Sequence, residues 1–215
     1  KKLYKKISKC RISDDKNLKL VGKIGPLTLT GIFPKQINKK VISTPVDIMF
    51  SKKSKLLQLN HNYNENELFG KNYGYRSGLN HQMMGHLKEK SNYLQKRYKI
   101  LSDMEILDIG SNDGTFLSFF NHKIKKTGID PTAKKFSEYY QKNITIIANL
   151  FTKDSIKTFK NDKFDLITSV AMFYDLRNPL EFLKNIERIL KKDGILHIEI
   201  AYLPDILSTL SFDTL

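Results

Sequence analysis

The residues Gly110-Ser111-Asn112-Asp113-Gly114 follow the apolar run Ile106-Leu107-Asp108-Ile109 and precede Thr115-Phe116. This spacing is suited to cofactor binding. Gly110 ends a strand where a side chain would block a ligand, and Gly114 lets the next helix approach closely with its first N–H groups facing that ligand. A dinucleotide pyrophosphate is served by three glycines in G-x-G-x-x-G. Here Asn112 takes the middle position and Asp113 follows. A carboxylate repels a pyrophosphate but accepts hydrogen bonds from a cationic amine. A second acid, Asp130, closes the next apolar run, Thr127-Gly128-Ile129, at the distance of about 20 residues where a ribose diol is expected. Together the two acids predict a pocket for S-adenosylmethionine. In it Gly110 gives close approach, Asn112 and Asp113 make polar contacts to the methionine portion, and Asp130 holds the ribose. The competing reading is an ordinary strand-turn-helix with acids as surface caps.

Alternating elements must position these residues. Apolar positions Met84, Leu87, Tyr93 and Leu94 predict a helix over His81–Ile100. Strands are expected near 105–109, 126–129, 144–148, 164–169 and 195–200. Helices are expected near 115–121, 133–141, 154–159 and 179–190, the last stopped by Lys191-Lys192-Asp193-Gly194. Strand and helix in alternation mean an α/β fold, a Rossmann-like, mostly parallel sheet with helices on both faces. Ligands of such sheets sit beyond the carboxyl ends of the strands. That rule adds Pro131 beside Asp130, Asn149 and Phe151 after the third strand, and Met172 after the fourth as cofactor contacts; Phe151 could lie against adenine. His197, between Leu196 and Ile198, reads as a core or sheet-face residue.

The chain has 215 residues and a formal net charge of +15. That length holds one full domain and a small extra one. No apolar run approaches the roughly 20 residues of a membrane span, and the basic start lacks an apolar continuation, so a cytoplasmic location without membrane contact is expected. A single cysteine, Cys10, agrees with a reducing compartment. The missing initiator Met implies a processed or cut N-terminus. The lysines are scattered through every segment, which reads as a solvated surface. Attraction to a nucleotide-sugar diphosphate or RNA is the alternative. Before about Tyr63 the pattern changes to short β-branched runs broken by Gly25-Pro26, Gly31 and Pro34. We read residues 1–68 as a small β-rich domain and 69–215 as the cofactor-binding domain.

Cys10-Arg11-Ile12-Ser13 and Ser51-Lys52-Lys53-Ser54 have the outline of two C-x-x-C knuckles with three of four thiols replaced by hydroxyls. Zinc needs thiolate or imidazole ligands, and serine hydroxyls bind it poorly. The expectation is that no metal is held and that the small domain leans on the larger one for stability.

Several stretches, in order, resemble the sugar C-methyltransferase family that acts on nucleotide-linked keto-deoxysugars. These are Gly25–Pro34, Ser51–Leu59, Tyr73-Gly74-Tyr75-Arg76-Ser77-Gly78-Leu79-Asn80 with His86 beyond, Ile109–Gly114, and Ala171–Leu176. The resemblance covers nearly the whole chain and implies an N-terminal zinc-binding-type domain. It also implies contacts from Tyr73 and Ser77 to the cofactor and a nucleotide-sugar substrate. Two departures stand out. The zinc cysteines are mostly gone, and the sequence stops at Ser211-Phe212-Asp213-Thr214-Leu215, just before the segment that carries the family's His-Glu-His acid-base motif. Methylation at carbon needs a base to remove a proton beside a ketone. Tyr75, His86 and Glu199 are the candidates within the chain. Competing readings are a cofactor-binding remnant without catalysis, a nucleic-acid methyltransferase, and a nicotinamide oxidoreductase. Asn112-Asp113 disfavours the last. The oligomeric state has no sequence signal.

Overall fold

The structure, a computed structural model, describes residues 4–28, 36, 41, 43–69, 73–159 and 163–211. Part of the Gly25–Pro34 stretch, Ile42, and the terminal 212–215 lie outside the described residues. Two compact units result: Lys1–Asn80 with Arg177–Glu181, and His81–Leu176 with Phe182–Leu215.

The first unit is built from short antiparallel strands. β1 (Tyr4–Lys6) pairs with β5 (His61–Tyr63), while β2 (Leu18–Thr28), β3 (Ser43–Ser51) and β4 (Leu57–Leu59) form a second sheet in that order; a single turn, α1 (Glu65–Leu68), follows. Its small interior includes Cys10 and Ser51, both 0% exposed. The two knuckles converge: Cys10 Sγ lies 3.1 Å from Ser54 Oγ. Each loop turns on backbone N–H groups aimed at its first side chain, Ile12 and Ser13 at Cys10 Sγ and Ser54 at Ser51 Oγ. Each then passes through a left-handed residue, Asp14 at φ 53° and Lys55 at φ 62°. Burial pushes the Cys10 thiol up, but hydrogen bonds from Ser13, Ser54 and Ile12 outweigh it and bring its pKa down to about 6. Among the described residues, no group of three or more His, Cys, Asp or Glu side chains is arranged to hold a metal ion.

The second unit is the α/β domain. Its elements run α2 (His81–Arg97), β6 (Glu105–Ile109), α3 (Thr115–Ser118), β7 (Lys125–Ile129), β8 (Ile144–Ile147), β9 (Phe164–Val170), α4 (Pro179–Ile189), β10 (Leu190–Glu199) and α5 (Leu203–Thr209). The five strands form one parallel sheet in the order β10-β9-β6-β7-β8. Period-two alternation sorts side chains to its faces. Ile106, Ile144, Leu166 and Ile195 join Leu87, Leu94, Phe116 and Leu117 of α2 and α3. Leu107, Ile109, Ile129 and Ile167 join Ile156, Phe159, Phe182 and Ile186 on the other face. Strand order reverses between β6 and β9, with the chain stepping outward to β7 and β8 on one side and to β10 on the other, so the crevice for a ligand lies beyond their carboxyl ends. Among the described residues no helix is long and apolar enough to cross a membrane.

Two expected helices and one expected helix stop are corrected. Residues 133–141 form successive tight turns with one 3-10 segment, Ser137–Tyr139, which bring Ala133, Phe136 and Tyr140 to the core without a continuous α-helix. Residues 154–159 likewise give a 3-10 turn, Ser155–Phe159. Lys191-Lys192-Asp193-Gly194 is no helix stop: it lies inside β10 as a bulge between the pairings Leu190↔Phe164 and Ile195↔Leu166. A Cβ at Gly194 would sit 2.9 Å from the Phe164 carbonyl oxygen, so this glycine serves close backbone approach.

Lys126 on β7 is 1% exposed, and its Nζ donates to the Phe120 carbonyl at 3.3 Å. Burial lowers its pKa. A depressed lysine destabilises the fold at pH values below its native pKa, and this penalty fades as pH rises toward the unfolded value. Lys126→Met keeps the volume and removes the buried amine, so urea unfolding at pH 7 should show a gain of about 1–2 kcal/mol that shrinks by pH 10. Equal gains at both pH values would reject this account.

Candidate functional site

The turn after β6 is held from below. Gly110 and Ser111 both donate to the Ile129 carbonyl, at 2.9 and 3.4 Å, and Gly114 N donates to the Ser111 carbonyl at 2.9 Å. Gly110 at φ +81° and Gly114 at φ +76° occupy backbone conformations open to glycine. Between them Asn112 adopts φ 50°, a conformation its short amide tolerates. A Cβ at Gly110 would come within 3.0 Å of Met172 Cγ, which narrows the crevice to what a hydrogen leaves. Tyr140 rises under the turn: its hydroxyl donates to the Asn112 carbonyl at 2.9 Å and accepts from Ser111 Oγ at 2.8 Å.

Three acids surround this turn. Asp113, 2% exposed, accepts from Thr115 N at 3.2 Å and so caps α3. This differs from the expected open helix start, because α3 is a single turn whose first N–H already has a partner. Asp130, 8% exposed, accepts from Asn112 N at 3.0 Å through Oδ2 and from Thr132 N and Oγ1 at 2.6 and 2.5 Å through Oδ1. A carboxylate offers about four lone-pair directions, so Oδ2 keeps acceptor capacity for a hydroxyl. Asp108, 3% exposed on the α2 face of β6, accepts from Thr168 Oγ1 at 2.6 Å. Burial, with Asp130 adding to it, pushes the Asp108 pKa up to about 7 against the Thr168 hydrogen bond. The same acids and burial raise the Tyr140 phenol above its ordinary value.

The other expected cofactor residues fall at neighbouring strand ends. Pro131 is exposed beside Asp130, and Asn149 is exposed with its Oδ1 accepting from Leu150 N at 2.8 Å. Phe151 stands edge-on to Phe182 with centroids 5.2 Å apart. Met172 follows Ala171, which takes φ 53° and donates its N–H to the Glu199 carbonyl at 2.9 Å. Left-handed non-glycine residues therefore sit in both loops at the reversal point, Asn112 after β6 and Ala171 after β9, as strained backbone at functional sites tends to do.

Of the three acid-base candidates, two meet. His86 Nε2 on α2 lies 2.7 Å from Glu199 Oε1 at the end of β10, and Lys90 Nζ lies 2.8 Å from Glu199 Oε2. Burial alone would raise the Glu199 pKa, but the hydrogen bonds and charges of Lys90 and His86 outweigh it and hold the carboxyl below its usual range. His197, on the same face of β10, has a buried Nε2 without a hydrogen-bond partner among the described residues. Burial and Lys90 lower its pKa against the pull of Glu199. Within the first unit, Tyr75 stacks edge-on to Tyr73 at 6.5 Å, Tyr73 stands 5.8 Å from Phe69, and Ser77 opens a 3-10 turn, Ser77–Leu79.

Asp108, Tyr140, Thr168 and Lys90 were not singled out by the sequence. An acid inside the run Ile106–Ile109 is the one signal that could have pointed to Asp108; the others depend on partners far away in the chain.

Residues 79–213 match the model of a family described as a methyltransferase domain. The C-methyltransferase NovU of Streptomyces niveus is 23% identical over 175 residues, covering 80% of this chain and 41% of that protein. The tRNA U34 carboxymethyltransferase of Campylobacter lari is 27% identical over 123 residues, covering 54% of this chain and 42% of that protein. Among solved structures, the plantazolicin methyltransferase BpumL in complex with SAH aligns with a TM-score of 0.47 at 23% identity, covering 59% of this chain and 50% of that one. The chain thus spans about two-fifths of the length of the curated relatives it matches. Over its second unit, the chain belongs to the methyltransferase-domain family, with the Rossmann-like fold of the S-adenosylmethionine-dependent class I enzymes.

Proposed function

We propose that this protein transfers a methyl group from S-adenosylmethionine to carbon in a nucleotide-linked keto-deoxysugar. One observation carries the cofactor half: a glycine turn lined by Asp113 and Asp130 lies at the reversal point between β6 and β9. Acids there suit a ligand with an ammonium and a sulfonium and oppose a pyrophosphate. Gly110, Asn112, Asp113 and Asp130 would hold it, with Pro131, Asn149, Phe151 and Met172 around the nucleoside. When bound, the cofactor supplies an electrophilic methyl group on sulfur. The chain's own part is to keep the pocket narrow at Gly110 and to offer Asp130 Oδ2 to the ribose. The substrate half is supported by the motif resemblance and by a relative named as a C-methyltransferase that spans most of this chain.

Calorimetric titration with S-adenosylhomocysteine tests the cofactor half. Binding by the wild type, weakened about 10–100-fold in Asp130→Asn, is expected from the loss of charge-assisted hydrogen bonds. No binding by the wild type overturns the reading, and equal binding in both proteins removes Asp130 from the ribose role. A nucleic-acid substrate is the second reading, favoured by the +15 charge and the tRNA-modifying relatives. An RNA mobility shift that survives about 0.2 M salt would support it.

A further inference from the structure

We propose that Arg11 and Arg177 form a binding site in the first unit for the diphosphate of a nucleotide-linked substrate. The site rests on the nucleotide-sugar reading above and adds to it the groups that grip the anionic part of that substrate.

The geometry begins with β5. Ile7 N donates to the Asn60 carbonyl at 2.9 Å, and the β1–β5 pairing continues through Lys5↔Asn62. In an antiparallel ladder alternate residues turn their N–H and C=O groups to opposite edges, so Asn60 and Asn62 serve β1 while His61 and Tyr63 aim their carbonyls at the other edge. Each of these two carbonyls accepts from a guanidinium: His61 from Arg11 Nη2 at 3.2 Å, and Tyr63 from Arg177 Nη2. Two residues of strand rise about 7 Å, so two planar cations sit side by side at roughly that spacing along one strand edge. Arg177 and Arg11 both belong to the first unit.

Both heads are held by other parts of the unit. Arg11 N donates to Gln58 Oε1 at 3.0 Å, and Gln58, itself buried, donates Nε2 to the Lys9 carbonyl at 3.3 Å, so the backbone from which Arg11 reaches is pinned. Arg177 Nε lies 3.0 Å from Glu65 Oε1 on α1. A guanidinium carries five N–H donors in a rigid fork, and among the described residues Arg177 commits Nε to Glu65 and one Nη2 hydrogen to Tyr63. Its Nη1 end remains to meet an oxyanion, and its side chain is 44% exposed.

Charge argues for more than a strand cap. A strand edge needs only hydrogen-bond donors, and neutral amides supply those without repulsion. Here burial first and the Arg177 charge next lower the Arg11 pKa, against the pull of Tyr63, so the two cations sense each other. Glu65 offsets one of them, while Lys6 and Asp47, both near His61, contribute one charge of each sign. A phosphoryl anion laid between the guanidiniums relieves their repulsion and takes paired N–H donors in the bidentate manner that arginine favours. The nucleotide-sugar reading identifies that anion as a diphosphate, whose two linked phosphoryl groups give each arginine its own partner.

Calorimetric titration of the whole chain with inorganic pyrophosphate, thymidine diphosphate, thymidine and inorganic phosphate tests the site. Pyrophosphate and thymidine diphosphate should bind, inorganic phosphate should bind at least about 10-fold more weakly, and thymidine should give no signal. Arg177→Met should weaken thymidine diphosphate by about 10–100-fold, and Arg177→Lys should recover only part of that, because lysine keeps the charge and lacks the fork. Arg11→Lys should also weaken it, which keeps the proposal testable if Arg177→Met fails to fold. No binding of either diphosphate by the wild type, unchanged affinity in folded Arg177→Met and Arg11→Lys, or phosphate bound as tightly as thymidine diphosphate would each overturn the proposal. An RNA mobility shift lost in these variants, without diphosphate binding by the wild type, would assign the arginines to RNA and overturn it as well. S-adenosylhomocysteine binding and methyl transfer to a nucleoside-diphosphate keto-deoxysugar, measured in the same preparation, separate the two readings: diphosphate binding without methyl transfer sinks the function proposed above and leaves the arginine site standing.

Discussion

Gly114→Ala is expected to destabilise the second unit by about 3–5 kcal/mol, a large share of the 5–15 kcal/mol that holds a typical domain. The added Cβ would lie 2.6, 2.8 and 2.9 Å from Cδ1, Cε1 and Cγ of Tyr140. That ring has little freedom to move aside, because it is 8% exposed and its hydroxyl is bound to Ser111 and Asn112. The positive φ of +76° adds a backbone penalty of about 1 kcal/mol for any side chain. Urea denaturation gives the number directly. Gly114→Ala combined with Tyr140→Ala should recover part of the packing loss relative to the two single variants, since the clash is pairwise. A single-variant loss under about 1 kcal/mol would show that the turn relaxes around the methyl.

The second large effect is a pH dependence centred on Asp108. Its native pKa is raised to about 7, above the unfolded value near 3.9, so the folded state binds more protons between these limits. Stability should therefore fall as pH rises from about 4 to 7, and the cost is fully present above pH 7. A shift of roughly three pKa units corresponds to about 4 kcal/mol. Asp108→Asn keeps an oxygen acceptor for the Thr168 hydroxyl and carries no charge. The variant should match the wild type near pH 4 and exceed it by several kcal/mol at pH 8. Parallel stability curves across that range would show that Asp108 titrates as an ordinary carboxyl.

The sequence makes the strand-turn-strand framework legible because each buried strand ends at a chemical boundary. Ile106–Ile109 stops at Gly110, and the next strand stops at Asp130. Residues 133–141 were harder to read, because the three- and four-residue spacing of Ala133, Phe136 and Tyr140 suits an α-helix and a chain of tight turns equally. Gly194 misled for a related reason: after a basic turn it resembles a helix stop, and its service to the Phe164 carbonyl depends on a strand 30 residues earlier. Site residues followed the same rule. Gly110 and Asp130 are marked by their immediate neighbours. Tyr140 reaches Asn112 across 28 residues, and His86 reaches Glu199 across 113, distances over which local pattern carries no information. Lys90 on its own is one more lysine in a chain with 37 lysines and arginines.

Ala171 at φ 53° has a wider consequence. Glycine would relieve that conformation by about 1 kcal/mol, so robustness to heat could be raised by a one-residue change at the crevice mouth. Alanine there gives up that margin in exchange for a loop with fewer alternative shapes. Ala171→Gly therefore sets relief of backbone strain against a larger unfolded-chain entropy, two effects of similar size acting on one residue at the crevice mouth.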